Sequence, residues 1–146
     1  MIKQGFYIGD RDWWVMVYYG VGENDLGEVY GTLIAAGCED WRAQRACMNL
    51  SRKNTGYTFT NFIDHATFVF VSRTTSAEQM FDSIEHELKH IVEHISEYYG
   101  LDPKEELPAY LQGEVGRLMF PAVVMAVCPT SASPRGSGRG DSSFQS

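Results

Sequence analysis

The spacing of apolar positions in the first third of the chain predicts one strand and two helices. Residues 13–19 are β-branched and aromatic and are followed by glycines, as is typical of a strand that ends in a turn. Apolar residues at helical spacing then predict a helix that Asp25 caps and Gly37 ends. A second helix is predicted over residues 39–50. This part of the chain therefore begins as strand, helix, helix.

The middle of the chain predicts two strands and the longest helix. Residues 56–60 and 66–72 are strand-like, and the second run is apolar throughout, which is typical of a strand covered on both faces. A helix is predicted over residues 77–99 because apolar residues recur there at steps of three and four, with Gly100 closing it. The members of this stripe are Met80, Ile84, Leu88, Ile91, Ile95 and Tyr99.

A further helix is expected after Asp102, since apolar residues again recur at helical spacing, and Pro108 and Pro121 would trim or kink it. The members of this second stripe are Leu107, Leu111, Val115, Leu118 and Ala122. Residues 129–146 are rich in Ser, Gly and Arg and have little to bury, so we expect them to be a disordered tail. The folded part is then a single domain over residues 1–128. Its mixture of strands and helices without an internal repeat predicts the α+β class.

Composition narrows the function. The chain has 146 residues and a net charge of −7, from 12 basic and 19 acidic side chains. One domain of this size without a basic field argues against nucleic-acid binding. The longest apolar runs are too short to span a bilayer, so we expect a cytoplasmic protein without membrane contact. The three cysteines, Cys38, Cys47 and Cys128, form no CxxC pair and favour free thiols in a reducing compartment.

The predicted long helix contains the sequence His-Glu-Leu-Lys-His, an HExxH motif. Side chains four residues apart lie one above the other on a helix, so His86 and His90 can hold one metal ion together. Glu87 lies beside the pair, from where its carboxylate can act as a general base toward a zinc-activated water. By helical periodicity Glu87 and the three histidines of the helix share one polar sector, away from the apolar stripe. A solvated helix face that carries the histidines by chance would have the same pattern.

A catalytic zinc ion needs a third protein ligand, and four residues are candidates. His94 lies one turn beyond His90 on a straight helix, too far along the axis unless the helix unwinds. His65 precedes a strand and would depend on tertiary placement. Glu105 and Glu106 follow at the start of the next helix.

Between Glu105 and Glu106, the small residues that follow favour Glu106. Side chains on the same side of the helix as Glu106 would let two helix backbones approach closely. These residues are Ala109, Gly113 and Gly116. Tyr110 follows Glu106 by one turn, and its hydroxyl is a candidate polarising donor in the same cleft, although packing with a polar tip is the commoner role.

Three segments together resemble a known family. They are the HExxH motif, Glu106-Leu-Pro-Ala and Leu118-Met-Phe-Pro. The chain over residues 66–121 is similar to zincin metallopeptidases with a glutamate ligand, in particular to compact ImmA/IrrE-like peptidases of phages and mobile elements. The resemblance implies a zincin-like fold, with the active-site helix packed on the following helix. It also implies Zn²⁺ on His86, His90 and Glu106, with Glu87 as the base.

The sequence thus leads to the expectation of a zinc-dependent peptidase acting on a peptide or protein. One alternative is a zincin-like binding or regulatory protein that has lost catalysis. Another is a helical interaction domain in which the HExxH motif is accidental. The substrate, the oligomeric state and the role of the first 60 residues are left open by the sequence.

Overall fold

A four-stranded sheet with helices on both faces forms the framework, in a computed structural model that describes residues 1–102 and 106–127. The side chains of Glu106 and Leu107 are outside the described part, as is the expected tail. The strands are β1 (Ile2–Ile8), β2 (Trp13–Val21), β3 (Gly56–Asn61) and β4 (Ala66–Ser72). The helices are α1 (Leu26–Ala35), α2 (Asp40–Leu50), α3 (Ala77–Tyr99) and α4 (Glu106–Val127).

The strands are arranged in the order β1-β2-β4-β3. The central pair, β2 and β4, is parallel, with Val15 opposite Thr67, whereas β1 and β3 are antiparallel to their neighbours. A parallel pair needs a long crossover, which here contains α1, α2 and β3. The fold is therefore α+β with a small mixed sheet, as the sequence predicts.

Each face of the sheet has its own hydrophobic core. The helices α3 and α4 pack on one face through Ile84, Ile91 and Val115, against Val17 and Val69. The helices α1 and α2 cover the other face and form the second core with it. The buried residues of this core include Tyr18, Val29, Leu33, Ala43, Leu50, Phe59 and Phe70. Because β4 contributes to both cores, its apolar run without alternation is explained, and the prediction of a strand covered on both faces is confirmed.

The helix α3 has the bounds that the sequence predicts. Ser76 caps its start by accepting a hydrogen bond from the backbone N–H of Gln79 at 3.1 Å. Gly100 ends it in the left-handed region with φ of 67°, and the N–H of Leu101 returns to the carbonyl of Ser96. Both end signals can be found in the sequence because each depends on one residue type at one position.

Three details differ from the sequence predictions. The strand β1 was not predicted, because the half-buried amide of Gln4 interrupts its apolar alternation. That amide donates to the carbonyl of Leu118 and accepts from the hydroxyl of Tyr19, each at 2.8 Å. Asp25 occupies the N-cap position of α1, as predicted, but its side chain makes no capping bond to that helix; its carboxylate accepts from the N–H of Gly22 at 2.8 Å, in the short 3-10 turn before the helix. On α4 the core position is Met119, with Leu118 only half-buried.

Two further expectations concern chemistry and surroundings. Cys38 and Cys47 are free thiols, and Cys128 lies outside the described residues. Over residues 1–102 and 106–127, no helix has the length and apolar character that crossing a bilayer requires.

Candidate metal centre

The two histidines of the HExxH motif lie side by side on the outer surface of α3. Their Nε2 atoms are 3.1 Å apart, and their rings are nearly perpendicular. The side chain of His86 is exposed and that of His90 is half-buried. The Nδ1 atom of His90 is 3.2 Å from a carboxylate oxygen of Glu93, one turn further along the helix.

This separation suits two metal ligands. Two nitrogen atoms at ~2.05 Å from one tetrahedral ion are about 3.3 Å apart, close to the distance between the two Nε2 atoms. Without a cation, one ring has to donate an N–H to the other, since two lone pairs facing each other repel. The carboxylate of Glu93 can accept the Nδ1 proton of His90, which leaves Nε2 of that ring as the ligand atom.

Glu87 faces the sheet instead of the histidine pair. Its side chain is 4% exposed, and the hydroxyl of Thr58 on β3 donates to its Oε1 at 2.6 Å. A Cβ on Gly56 would lie 2.5 Å from the second carboxylate oxygen, so only glycine leaves room for the carboxylate there. The helical periodicity places Glu87 with the polar sector, away from the core. That assignment was wrong, because the edge of the sheet extends over this position.

His94 is also bound to the sheet. Its Nδ1 is 2.7 Å from the hydroxyl of Thr60, which is 2.9 Å from the hydroxyl of Thr67, which in turn accepts from the indole N–H of Trp13. Burial, followed by the charge of neighbouring His90, lowers the pKa of His94 below its ordinary value. This arrangement fixes the ring toward β3, one turn beyond the pair, as expected for a straight helix.

His65 lies in the turn before β4. Its Nδ1 is 2.9 Å from the carbonyl oxygen of Asp12, and its ring stacks on Trp13 with centroids 4.8 Å apart. These contacts direct the ring toward the aromatic end of α3, where it also meets Tyr98. His65 therefore belongs to the packing of the turn and is not brought to the histidine pair.

The helix α4 packs along α3 beside the histidines. Gly116 faces Leu88, since a Cβ there would be 3.7 Å from that side chain, in ordinary contact. Gly113 does not belong to this approach: its side is exposed, and within the described part of the chain nothing lies within 4 Å of a Cβ built there. The expected close-packing stripe is therefore wrong at Gly113. The prediction fails there because α4 is rotated so that Leu111, Val115 and Met119 are buried, which leaves Gly113 on the exposed side.

Of the residues expected in the site, Tyr110 lies apart from the histidine pair, and the side chain of Glu106 is outside the described residues. Tyr110 is 70% exposed. Among the described side chains of α4, Gln112 and not Tyr110 lines the cavity beside His86. Glu106 is the first residue of α4, but its side chain lies outside the described residues, and Glu105 lies outside them altogether. Among the side chains that the structure describes, no group of three or more His, Cys, Asp or Glu residues is arranged to hold a metal ion.

Two neighbouring cavities lie along the seam between α3 and α4. The first has a volume of about 350 Å³ and includes His86, Asp82 and Glu85 in its lining. The second, about 590 Å³, has an apolar floor that includes Val92 and Pro108. Lys89 and Gln112 line both cavities, so the two share one wall. A groove with charged side chains at one end and an apolar surface at the other therefore begins at the first histidine.

The sequence could not predict that several residues of β3 shape the site. Gly56, Thr58 and Thr60 carry no motif, and only the position of β3 beside α3 brings them to the HExxH helix. Glu93 carries a weak signal, because a carboxylate three residues after a histidine can meet it on a helix. Comparisons of the chain with protein-family models, curated proteins and solved structures give no match.

Proposed function

We propose that the chain is a zinc-dependent peptidase with a zincin-like fold. The observation that carries the proposal is the 3.1 Å separation of the Nε2 atoms of His86 and His90 on one helix. The resemblance of the HExxH motif and of the downstream segments to zincins adds the reaction class. The chain's own residues then divide into ligands, a base and a groove.

The ligands proposed are His86, His90 and Glu106. Glu93 supports the second of them, because its carboxylate at Nδ1 fixes the tautomer in which Nε2 carries the lone pair. Glu106 supplies an oxygen ligand of the kind that zinc accepts, and it begins the helix that packs along α3. When bound, zinc supplies Lewis-acid chemistry, which polarises a peptide carbonyl and lowers the pKa of a water molecule.

Glu87 is proposed to accept the proton of that water and to return it to the leaving amine. Thr58 holds the carboxylate toward the sheet through a 2.6 Å hydrogen bond. The narrow space over Gly56 prevents the carboxylate from turning further toward the sheet. The proposed role as base therefore requires the side chain of Glu87 to turn from the sheet toward His86 and His90.

The groove between α3 and α4 supports a peptide as the substrate class. Its apolar part, with Val92 and Leu101, suits an aliphatic or aromatic side chain. Its polar part, with Lys89 and Gln112 beside His86, suits backbone carbonyl and amide groups. The exposed hydroxyl of Tyr110 has no place in this groove, so we retain Tyr110 as a catalytic candidate on the motif spacing alone.

One observation favours a second candidate function, a zincin-like binding or regulatory protein without catalysis. The carboxylate of Glu87 is buried and hydrogen-bonded to the sheet, which is also how a purely structural glutamate is held. In that case the zinc site stabilises the α3–α4 pair, and the groove binds a peptide segment without cleaving it.

The Glu87→Gln variant separates the two functions, since an amide keeps the size and one acceptor of the carboxylate but cannot take a proton. We expect zinc-loaded wild type to cleave proteins in an undigested protein mixture, and mass spectrometry identifies the new chain ends. The variant should retain its zinc and lose activity by about 10² to 10⁴-fold. Cleavage by the variant at the wild-type rate would contradict the role of Glu87, and a wild type that binds zinc without cleaving would favour the binding protein.

A further inference from the structure

A second candidate site lies at the end of the sheet where the two central, parallel strands, β2 and β4, have their carboxyl ends. After β2 the chain enters α1 on one face of the sheet, and after β4 it enters α3 on the opposite face. The two neighbouring strands therefore send the chain in opposite directions. In open sheets with parallel strands, this divergence leaves a crevice at the strand ends, and small ligands bind there.

A cavity of about 270 Å³ lies in this crevice. Its walls are residues 21–24 at the end of β2, residues 50–53 at the end of α2, and Arg73 after β4. Three of the twelve basic side chains of the protein, Arg52, Lys53 and Arg73, line it. A cluster of cations around one small cavity runs against the net charge of −7.

Hydrogen bonds fix the three segments relative to one another. The N–H of Arg73 donates to the carbonyl of Val21 at 3.0 Å, and the N–H of Asn54 donates to the carbonyl of Arg73 at 2.9 Å. The N–H of Thr55 donates to the hydroxyl of Ser72 at 2.9 Å. The backbones that carry the cations are thus fixed without a ligand, which lowers the entropy lost when one binds.

Gly22 gives Arg73 its position. A Cβ on Gly22 would lie 2.8 Å from Cζ of the Arg73 guanidinium, so the guanidinium rests directly on the glycine backbone. Gly22 is buried, although the arginine itself is exposed. A side chain at position 22 would push the guanidinium out of this place.

The cations of the cavity lack fixed counter-charges. Within residues 1–102 and 106–127, none of the three forms an ion pair with a carboxylate. Two acidic residues lie near these cations: the carboxylate of Asp25 accepts from the N–H of Gly22, and Glu23 is exposed in the lining of the cavity. Three cations around one cavity repel one another, and a bound anion would remove this repulsion.

We propose that this cavity binds a small soluble molecule through a phosphate group. Arg73 and Arg52 supply planar guanidinium donors, and Lys53 supplies an ammonium group, which are the donors that phosphate oxygens accept in proteins. The site is separate from the histidine pair and does not depend on the proposed peptidase.

Inorganic pyrophosphate is the probe, titrated into the full chain at low salt and followed by amide NMR shifts and calorimetry. EDTA-treated protein is used so that zinc does not contribute to the binding. We expect saturable binding of one pyrophosphate per chain, with shifts around Gly22 and Arg73. Arg73→Gln should weaken it by about tenfold or more, because a charge-assisted hydrogen bond is lost.

Arg45→Gln is the matched control, since it removes the same charge from the exposed face of α2, where Arg45 lies over Trp41. It should change the affinity by less than about twofold. Gly22→Ala tests the geometry without changing the charge and should weaken binding by displacing the guanidinium. An equal loss in Arg45→Gln and Arg73→Gln, or no saturable binding, would overturn the proposal. Binding only to anionic vesicles or to an oligonucleotide, and not to pyrophosphate, would also overturn it.

Discussion

At the scale of single residues, the hydrogen bond from Thr58 to Glu87 decides how the HExxH helix meets the sheet. A buried carboxylate without a partner loses its hydration and gains nothing in return. Thr58 supplies the partner at 2.6 Å, and Gly56 supplies the space beside it. The position of Glu87 is therefore a property of β3 as much as of α3.

Thr58→Val tests this bond, because valine keeps the shape of threonine and removes the hydroxyl. We expect the free energy of unfolding to fall by about 1–3 kcal/mol, the cost of leaving a buried acceptor unpaired. Urea denaturation measures it, with Thr58→Ser as the control that keeps the hydroxyl and should lose much less. Equal losses in the two variants would contradict the importance of the hydrogen bond.

His94 gives the protein a predicted dependence on acid. Burial lowers its pKa in the folded chain below the ordinary value, so the unfolded chain binds the proton more readily. Stability should therefore fall as the pH drops from about 6.5, the pKa of a free histidine, toward the lower pKa of the folded state.

The variant His94→Asn tests that dependence, since the amide can still bond to Thr60 but does not titrate. Urea denaturation of EDTA-treated protein at pH 7.5 and pH 5.5 should give a smaller loss of stability for the variant than for wild type. The same loss in both proteins would show that other groups cause the acid dependence.

At the scale of elements, the approach of β3 to α3 shapes the site. At Gly56 the helix lies so close to the edge strand that a Cβ there would be 2.5 Å from the carboxylate of Glu87. The carboxylate of Glu87 occupies the space that a Cβ would need. Strand and helix are therefore coupled through one glycine and one glutamate.

Gly56→Ala should destabilise the protein by about 1–3 kcal/mol, the usual cost of overpacking a close contact. Glu87→Ala in the same chain should recover part of this loss, because it removes the clashing carboxylate. A double-mutant cycle measured by thermal or urea unfolding gives the coupling energy. Additive losses in the double variant would mean that the two residues are not in contact.

The elements also show what the sequence could and could not predict. The helix α3 was predicted with its true bounds because its periodicity and both end signals are local. The strand β1 was missed because the polar side chain of Gln4 has hydrogen-bond partners on β2 and α4, which no local pattern indicates. The motif predicted that His86 and His90 would meet, but the burial of Glu87 depends on β3, far away in the sequence.

At the scale of the whole molecule, the two proposed sites lie at different places on the sheet. The face with α3 and α4 carries the histidine pair and the groove between the helices. The opposite face carries α1 and α2, and the cationic cavity lies where the chain leaves the sheet for both faces. A metal ion and a phosphate would thus bind at different places, so each can be removed without the other.

The central claim is that the chain binds zinc through its HExxH helix, and zinc content tests it most directly. Purified, zinc-loaded and dialysed protein should hold about one zinc per chain by elemental analysis. His86→Ala, His90→Ala and Glu106→Ala should lose that zinc, whereas His65→Asn, which removes a histidine bound to Asp12 and Trp13, should keep it. A folded wild type that retains no zinc, or the same zinc content in His86→Ala as in wild type, would contradict the account.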